Sequence, residues 1–155
     1  MNDILALLES LSSQPHSPNG KTPIADFGFI SSASRVHIRH VPFYSPCIIL
    51  VLSGRKLIGK LTCEAGDALT VPAPASYDFR NEPDTRSGRY RALIIPFEHE
   101  DLERLRAAHA MESLRQSVPI GPLHYDGDPN LVEAVKHYLG NHAHASLRKH
   151  RLLEI

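Results

Sequence analysis

The spacing of apolar and polar positions changes character twice along this chain. Asp3 to Leu11 places Ile4, Leu5, Leu7, Leu8 and Leu11 on one helical stripe, with Asn2 or Asp3 as the cap, and predicts a short amphipathic helix. Residues 12–21, SSQPHSPNGK, gather turn-forming side chains and predict a loop or arm. From Thr22 to Phe97 the period becomes two. In Ser34 to Val41, Val36, Ile38 and His40 alternate with Arg35, His37 and Arg39, so one face turns to a core and the other to water. Cys47 to Leu52 is apolar on both faces and predicts a central strand. Ser53 and Gly54 end it. Lys56 to Cys63 is then expected to return as a hairpin, with Leu57, Gly59, Leu61 and Cys63 on one side. Glu64 to Asp67 reads as a turn, Ala68 to Val71 as a strand, and Pro72 to Pro74 as an irregular corner, because proline has no N–H for a ladder. Tyr77 and Phe79 share a face, Asn81 to Gly88 is a polar loop, and Arg89 to Phe97 closes the strand series.

After Phe97 the pattern is helical. Acids at Glu98, Glu100 and Asp101 precede the stripe Leu102, Leu105 and Ala108, which predicts a helix to about Ala110. Asp128 with Pro129 in the first helical position starts another helix, with Leu131, Val135, Tyr138 and Leu139 at helical spacing and Gly140 and Asn141 as the stop. A third run, Ser146 to Ile155, meets no stop signal. An apolar LLEI at a free carboxyl terminus is unusual unless it packs against something, so a parent protein continuing past Ile155 is expected. The expected division is an amino-terminal helix and arm over 1–21, a barrel over 22–97 and a helical segment over 98–155.

Composition narrows the function classes. A chain of 155 residues has room for one domain with a real core. Lys plus Arg equal Asp plus Glu at 17 each, so the positive excess of a phosphate-binding surface is missing and direct DNA contact by this chain is not expected. No apolar run is long enough to span a bilayer and residues 1–20 lack the parts of a signal peptide, which predicts a cytoplasmic protein with no membrane partner. Cys47 and Cys63 lie in strand-like sequence without CxxC spacing and read as buried free thiols; a redox or electrophile sensor at Cys47 is the sharper alternative. Neither GxSxG nor a glycine-rich phosphate loop is present, so nucleophilic and nucleotide chemistry are not expected.

Histidines invite a metal reading. His37 and His40, three apart on a strand, point to opposite faces, and His142 and His144 lie between two helices without an obvious third ligand. His40, in step with Val36 and Ile38, is expected to reach the barrel interior, either as a hydrogen-bonded core histidine or as a ligand contact.

Gly66 to Asn81, GDALTVPAPASYDFRN, resembles the second motif of the cupin barrels, glycine-x5-proline-x-glycine-x2-histidine-x3-asparagine, with Pro74 in place of the glycine and Tyr77 in place of the metal-binding histidine. Counting back from Gly54, Cys47 stands where the first cupin motif has its glutamate, and Phe43 and Tyr44 stand near its histidines. The run YSPCIILVLSGRK, from Tyr44 to Lys56, is similar to the tyrosine-x-proline, valine-leucine-x-glycine-x-lysine segment in the amino-terminal domains of AraC-type transcription regulators. That resemblance covers roughly residues 20 to 97, and the helical segment in layout alone. It implies a mainly β fold, a cupin-like barrel followed by carboxyl-terminal α-helices, which binds an unidentified small-molecule effector and forms a homodimer. DNA is then reached only through a carboxyl-terminal domain outside this chain.

On this reading the protein is not an enzyme and carries no metal or other cofactor at the cupin positions. Candidate ligand-binding residues are His40, Tyr44, Cys47, Tyr77 and Phe79, although core packing explains Tyr77 and Phe79 equally well. Leu131, Val135, Tyr138 and Leu139 are the candidate dimer contacts, with plain core as the alternative. The rival reading is a small metal-dependent cupin enzyme, an isomerase or dioxygenase. A barrel serving oligomerisation alone is a third.

Overall fold

The architecture turns on how the chain leaves its central strand. The computed structural model describes residues 28–97, 100, 103–104 and 121–140, the side chains of 138–140 excepted. The helices read over Asp3 to Leu11 and Ser146 to Ile155, the arm between residues 12 and 21, and His142 and His144 lie outside the described residues, as does most of the helix read from Glu98 to Ala110. Among the described residues the strands are β1 (Gly28–Ser32), β2 (Val36–Phe43), β3 (Cys47–Ser53), β4 (Arg55–Ile58), β5 (Leu61–Cys63), β6 (Ala68–Val71), β7 (Ala75–Glu82), β8 (Tyr90–Pro96) and β9 (Leu123–Tyr125), followed by the helix α1 (Pro129–Gly140). They build one sheet in the order β1-β8-β3-β6-β9 and a second in the order β2-β7-β4-β5, antiparallel throughout. This is the mainly β, cupin-like fold the sequence predicts.

β3 lies at the centre of the five-stranded sheet and is buried on both faces, as its unbroken apolar run requires. Cys47, Ile49 and Val51 join Ile58, Cys63, Leu69, Val71, Phe79, Tyr90 and Ala92 in a core between the sheets. Leu50 and Leu52 face the other way, into a second core with Ala68, Leu93, Ile95 and Val135. The helix α1 closes that outer face. Asp128 accepts the Asn130 N–H on its carboxylate at 2.8 Å and the Val132 N–H on its carbonyl at 3.1 Å, so the predicted start at Asp128 and Pro129 is borne out; the stop read at Gly140 and Asn141 falls at the edge of the described residues. Val135 is 0% exposed. Shortening it to alanine removes two methyl groups from a filled site and is expected to cost about 2 kcal/mol, read as a lower thermal midpoint with the β signal otherwise intact.

Two expectations fail here. The hairpin between Cys47–Leu52 and Lys56–Cys63 does not form: β3 pairs with β6 and β8, while β4 pairs with β5 and β7. At Gly54 the backbone adopts φ 77° and carries the chain from one sheet to the other. The real hairpin is β4 with β5, in which Lys56 opposes Cys63 and Ile58 opposes Leu61. Lys56 therefore shares the inner face with Ile58 and Cys63, and Leu57 does not. The second failure is β9, a strand inside the stretch read as helical, which pairs with β6 and widens the sheet beyond residue 97. No helix among the described residues is long and apolar enough to cross a membrane.

Candidate functional site

The inner face of the four-stranded sheet is set by an irregularity in β2. Val36, Ile38, Val41 and Phe43 oppose Asn81, Phe79, Tyr77 and Ala75 of β7, and the register slips between Ile38 and Val41. Arg39 and His40 together face Asp78, a bulge that spends one extra residue and resets the alternation. His40 takes φ 54° there, and its N–H donates to Asp78 Oδ1 at 2.8 Å. Its side chain is 86% exposed on the outer surface, 3.8 Å from the same carboxylate. His40 thus does not reach the barrel interior, since the bulge hands the inner positions to Val41 and Phe43.

The other candidates separate cleanly. Tyr44, in the connection from β2 to β3, is 86% exposed and lines no inner wall. Cys47, Tyr77 and Phe79 all face inward, Cys47 and Phe79 buried and Tyr77 half-buried. Phe43 completes an aromatic wall, its ring 6.1 Å from Tyr77 and 5.5 Å from Phe79. Val41, Phe43 and Tyr77 are half-buried and Ile38 exposed, so this part of the inner face meets solvent.

Behind that wall lies the residue that sequence reasoning missed. Lys56 is 3% exposed, with its Nζ donating to Asn81 Oδ1 at 2.9 Å and lying 4.0 Å from the centre of the Phe79 ring and 5.7 Å from that of Tyr90. Among the described residues it meets no carboxylate. Burial lowers its pKa from 10.5 to about 8, opposed in part by the nearby thiols. The Tyr90 hydroxyl, wholly buried in the same core, has no hydrogen-bond partner among the described residues, and burial raises its pKa. The sequence does carry a signal for Lys56, which ends the segment resembling the AraC-type domains. A hairpin reading of residues 47–63 hid it by giving the inner face to Leu57.

Burial lifts the Cys47 thiol to about 12, with Lys56 pulling weakly the other way. Cys63 rises to about 11, first through burial and then through the charge of Asp67. Both thiols are protonated and enclosed at physiological pH, which argues against the sensor reading of Cys47. The same geometry does not fit the cupin metal. Of the nearest candidates, His40 lies on the outer face, Cys47 is a protonated buried thiol, and Tyr77 alone remains on the open part of the wall.

An open cleft of about 900 Å³ at the Gly54 corner, lined by Arg35, Ser53, Arg55, Glu82, Ser87 and Arg91 among others, is the competing location. Three of its cations are engaged. Arg55 hydrogen-bonds the nearly buried Glu82 and Arg35 pairs with it at 3.2 Å, which holds the Glu82 carboxyl below its ordinary range; Arg91 is engaged as well. Of the candidate dimer residues, Leu131 and Val135 pack on their own sheet, and the side chains of Tyr138 and Leu139 lie outside the described residues.

Solved structures provide the comparison. ToxT from Vibrio cholerae, an AraC-family regulator, superposes with a TM-score of 0.61 at 10% identity, over 81% of this chain and 52% of that one. ToxT bound to (E)-4-(8-methylnaphthalen-1-yl)but-3-enoic acid gives 0.61 at 10%, over 83% and 53%. Unsaturated fatty acid bound ToxT gives 0.53 at 9%, over 81% and 50%. The chain therefore spans about half the length of these structures and shares the fold of that half. No protein-family model matches the sequence, and no curated protein matches it either.

Proposed function

We propose that this chain is the effector-sensing and dimerisation part of an AraC-type transcription regulator, acting in the cytoplasm without catalysis, and that its effector is a small organic acid with an apolar body. The observation that carries the effector reading is a pair inside the barrel: a buried Lys56 ammonium with no carboxylate, beside a Tyr90 hydroxyl with no hydrogen-bond partner, among the described residues. Buried charges are normally paired and buried hydroxyls normally bonded. A carboxylate is a group that can both pair with an ammonium and accept from a hydroxyl. The half-exposed wall of Val41, Phe43 and Tyr77 suits an apolar body, and two of the ToxT structures hold carboxylic acids.

In this reading Cys47, Tyr77 and Phe79 line the effector's path, and His40 and Tyr44, on the outside, do not. Leu131 and Val135 support α1 from behind while the rest of segment 98–155 supplies the two-fold contact. Acid binding shifts the population between two arrangements of the barrel and that segment, which re-aims a DNA-binding domain carried elsewhere on the same protein.

Calorimetric titration with decanoate and, separately, decanol tests the effector half. Decanoate is expected to bind at least about tenfold more tightly, the span of 1.4 kcal/mol, and Lys56→Met to erase the difference. Equal binding of acid and alcohol, or an unchanged preference in Lys56→Met, overturns it. The regulator half fails if the coding sequence beyond Ile155 contains no helix-turn-helix segment.

A further inference from the structure

Where β9 runs beside β6, three side chains from separate stretches of sequence converge. Asp67 immediately precedes β6, His124 lies within β9, and Asp126 follows it. His124 Nε2 stands 2.9 Å from Asp67 Oδ2 and 3.5 Å from Asp126 Oδ1, with the three donor atoms within 4.8 Å of one another. We propose that Asp67, His124 and Asp126 form a binding site for a divalent transition cation of the zinc class.

The spacing carries the inference. Ligand atoms bound about 2.0–2.2 Å from a tetrahedral or octahedral ion lie about 2.8–3.6 Å apart, a range that holds both separations from His124 to the carboxylates. An ion there sits where Nε2 and the two carboxylate oxygens already converge, so binding needs little rearrangement. Asp67 is already aimed: its Oδ1 accepts the Gly127 N–H at 3.1 Å and its Oδ2 the Glu64 N–H at 2.8 Å. Such outer bonds orient a ligating carboxylate.

One imidazole with two carboxylates selects zinc, nickel or copper over magnesium and calcium, which prefer oxygen alone. Three protein ligands leave room for water, as in open sites, and the exposed Asp126 keeps the fourth direction toward solvent. The bound ion fastens β9, the strand that leads into α1, to the turn at the foot of β6. It links the barrel to the segment that follows it. The site is separate from the Lys56 interior and stands or falls without it.

The test is calorimetric titration of zinc chloride into the protein carrying His142→Ala and His144→Ala, so that the HxH pair contributes no signal. One saturable equivalent is expected, with no matching response to magnesium chloride. His124→Ala and Asp126→Asn should each weaken it at least about tenfold, since loss of an outer-shell partner alone costs about 10–100-fold. Asp126→Asn is the decisive variant, because that side chain is 97% exposed and its change leaves the fold alone. Absence of saturable zinc binding, or wild-type affinity in Asp126→Asn and His124→Ala, overturns the proposal and leaves the trio as a hydrogen-bonded tie.

Discussion

Gly54→Ala is expected to destabilise the fold by about 4 kcal/mol, a large share of the 5–15 kcal/mol that holds a domain of this size together. Two penalties combine. The residue sits at φ 77°, where any side chain costs about 1 kcal/mol. A Cβ there also runs into the Glu82 carbonyl oxygen and stands 3.0 Å from the Asp84 nitrogen, both backbone atoms that cannot swing aside. Those atoms belong to the end of β7 and the loop after it, so yielding would disturb the β4–β7 ladder, where Arg55 opposes Glu82. Gly59→Ala provides the comparison. Gly59 has φ 57° and nothing within 4 Å of an added Cβ, so it should lose the conformational share alone, about 1 kcal/mol. Urea midpoints of the two variants measure the difference. Equal losses would show that backbone crowding at the corner does not fix the crossover.

The same corner explains how far the sequence can be read. β3 is legible because its apolar run fits only a strand covered on both sides, and the start of α1 because Asp128 and Pro129 mark it chemically. A hairpin and a sheet-to-sheet crossover share one local signature, strand then Ser-Gly then strand. What separates them is the approach of residues 82 and 84, distant in sequence. His40 fails for a related reason: a bulge changes which residues point inward without changing the alternation of residue types. Leu123 to Tyr125 is too short to show a period. At the site, Tyr77 and Phe79 are legible as an aromatic pair on one face, whereas Lys56 is not, because a lysine in an amphipathic stretch is by default assigned to water.

Lys56→Met is expected to raise stability at pH 7 by about 1–2 kcal/mol and to abolish the rise in stability expected of the wild-type protein between pH 8 and 9. A fall from 10.5 to about 8 corresponds to about 3 kcal/mol spent on keeping the ammonium charged inside the barrel, at 1.36 kcal/mol per unit. Methionine has similar reach and no charge, but it leaves the Asn81 oxygen without its donor, which takes back about 1–2 kcal/mol. The sign of the pH effect follows from proton counts. Between the folded value near 8 and the unfolded value near 10.5, the unfolded chain holds the extra proton on Lys56, so raising the pH favours the folded state. Cys47 and Cys63 oppose this from about pH 9 upward, because their folded values of about 12 and 11 exceed the ordinary 9.0 and the unfolded chain then loses protons first. Wild-type stability should therefore peak near pH 9, while Lys56→Met shows no rise and falls from about pH 8 onward. Urea unfolding at half-unit steps from pH 7 to 10 separates the two curves, and parallel curves would mean that Lys56 does not carry a buried charge. If Lys56 holds the acid proposed above, the pH profile and the loss of acid preference must appear together in this one variant.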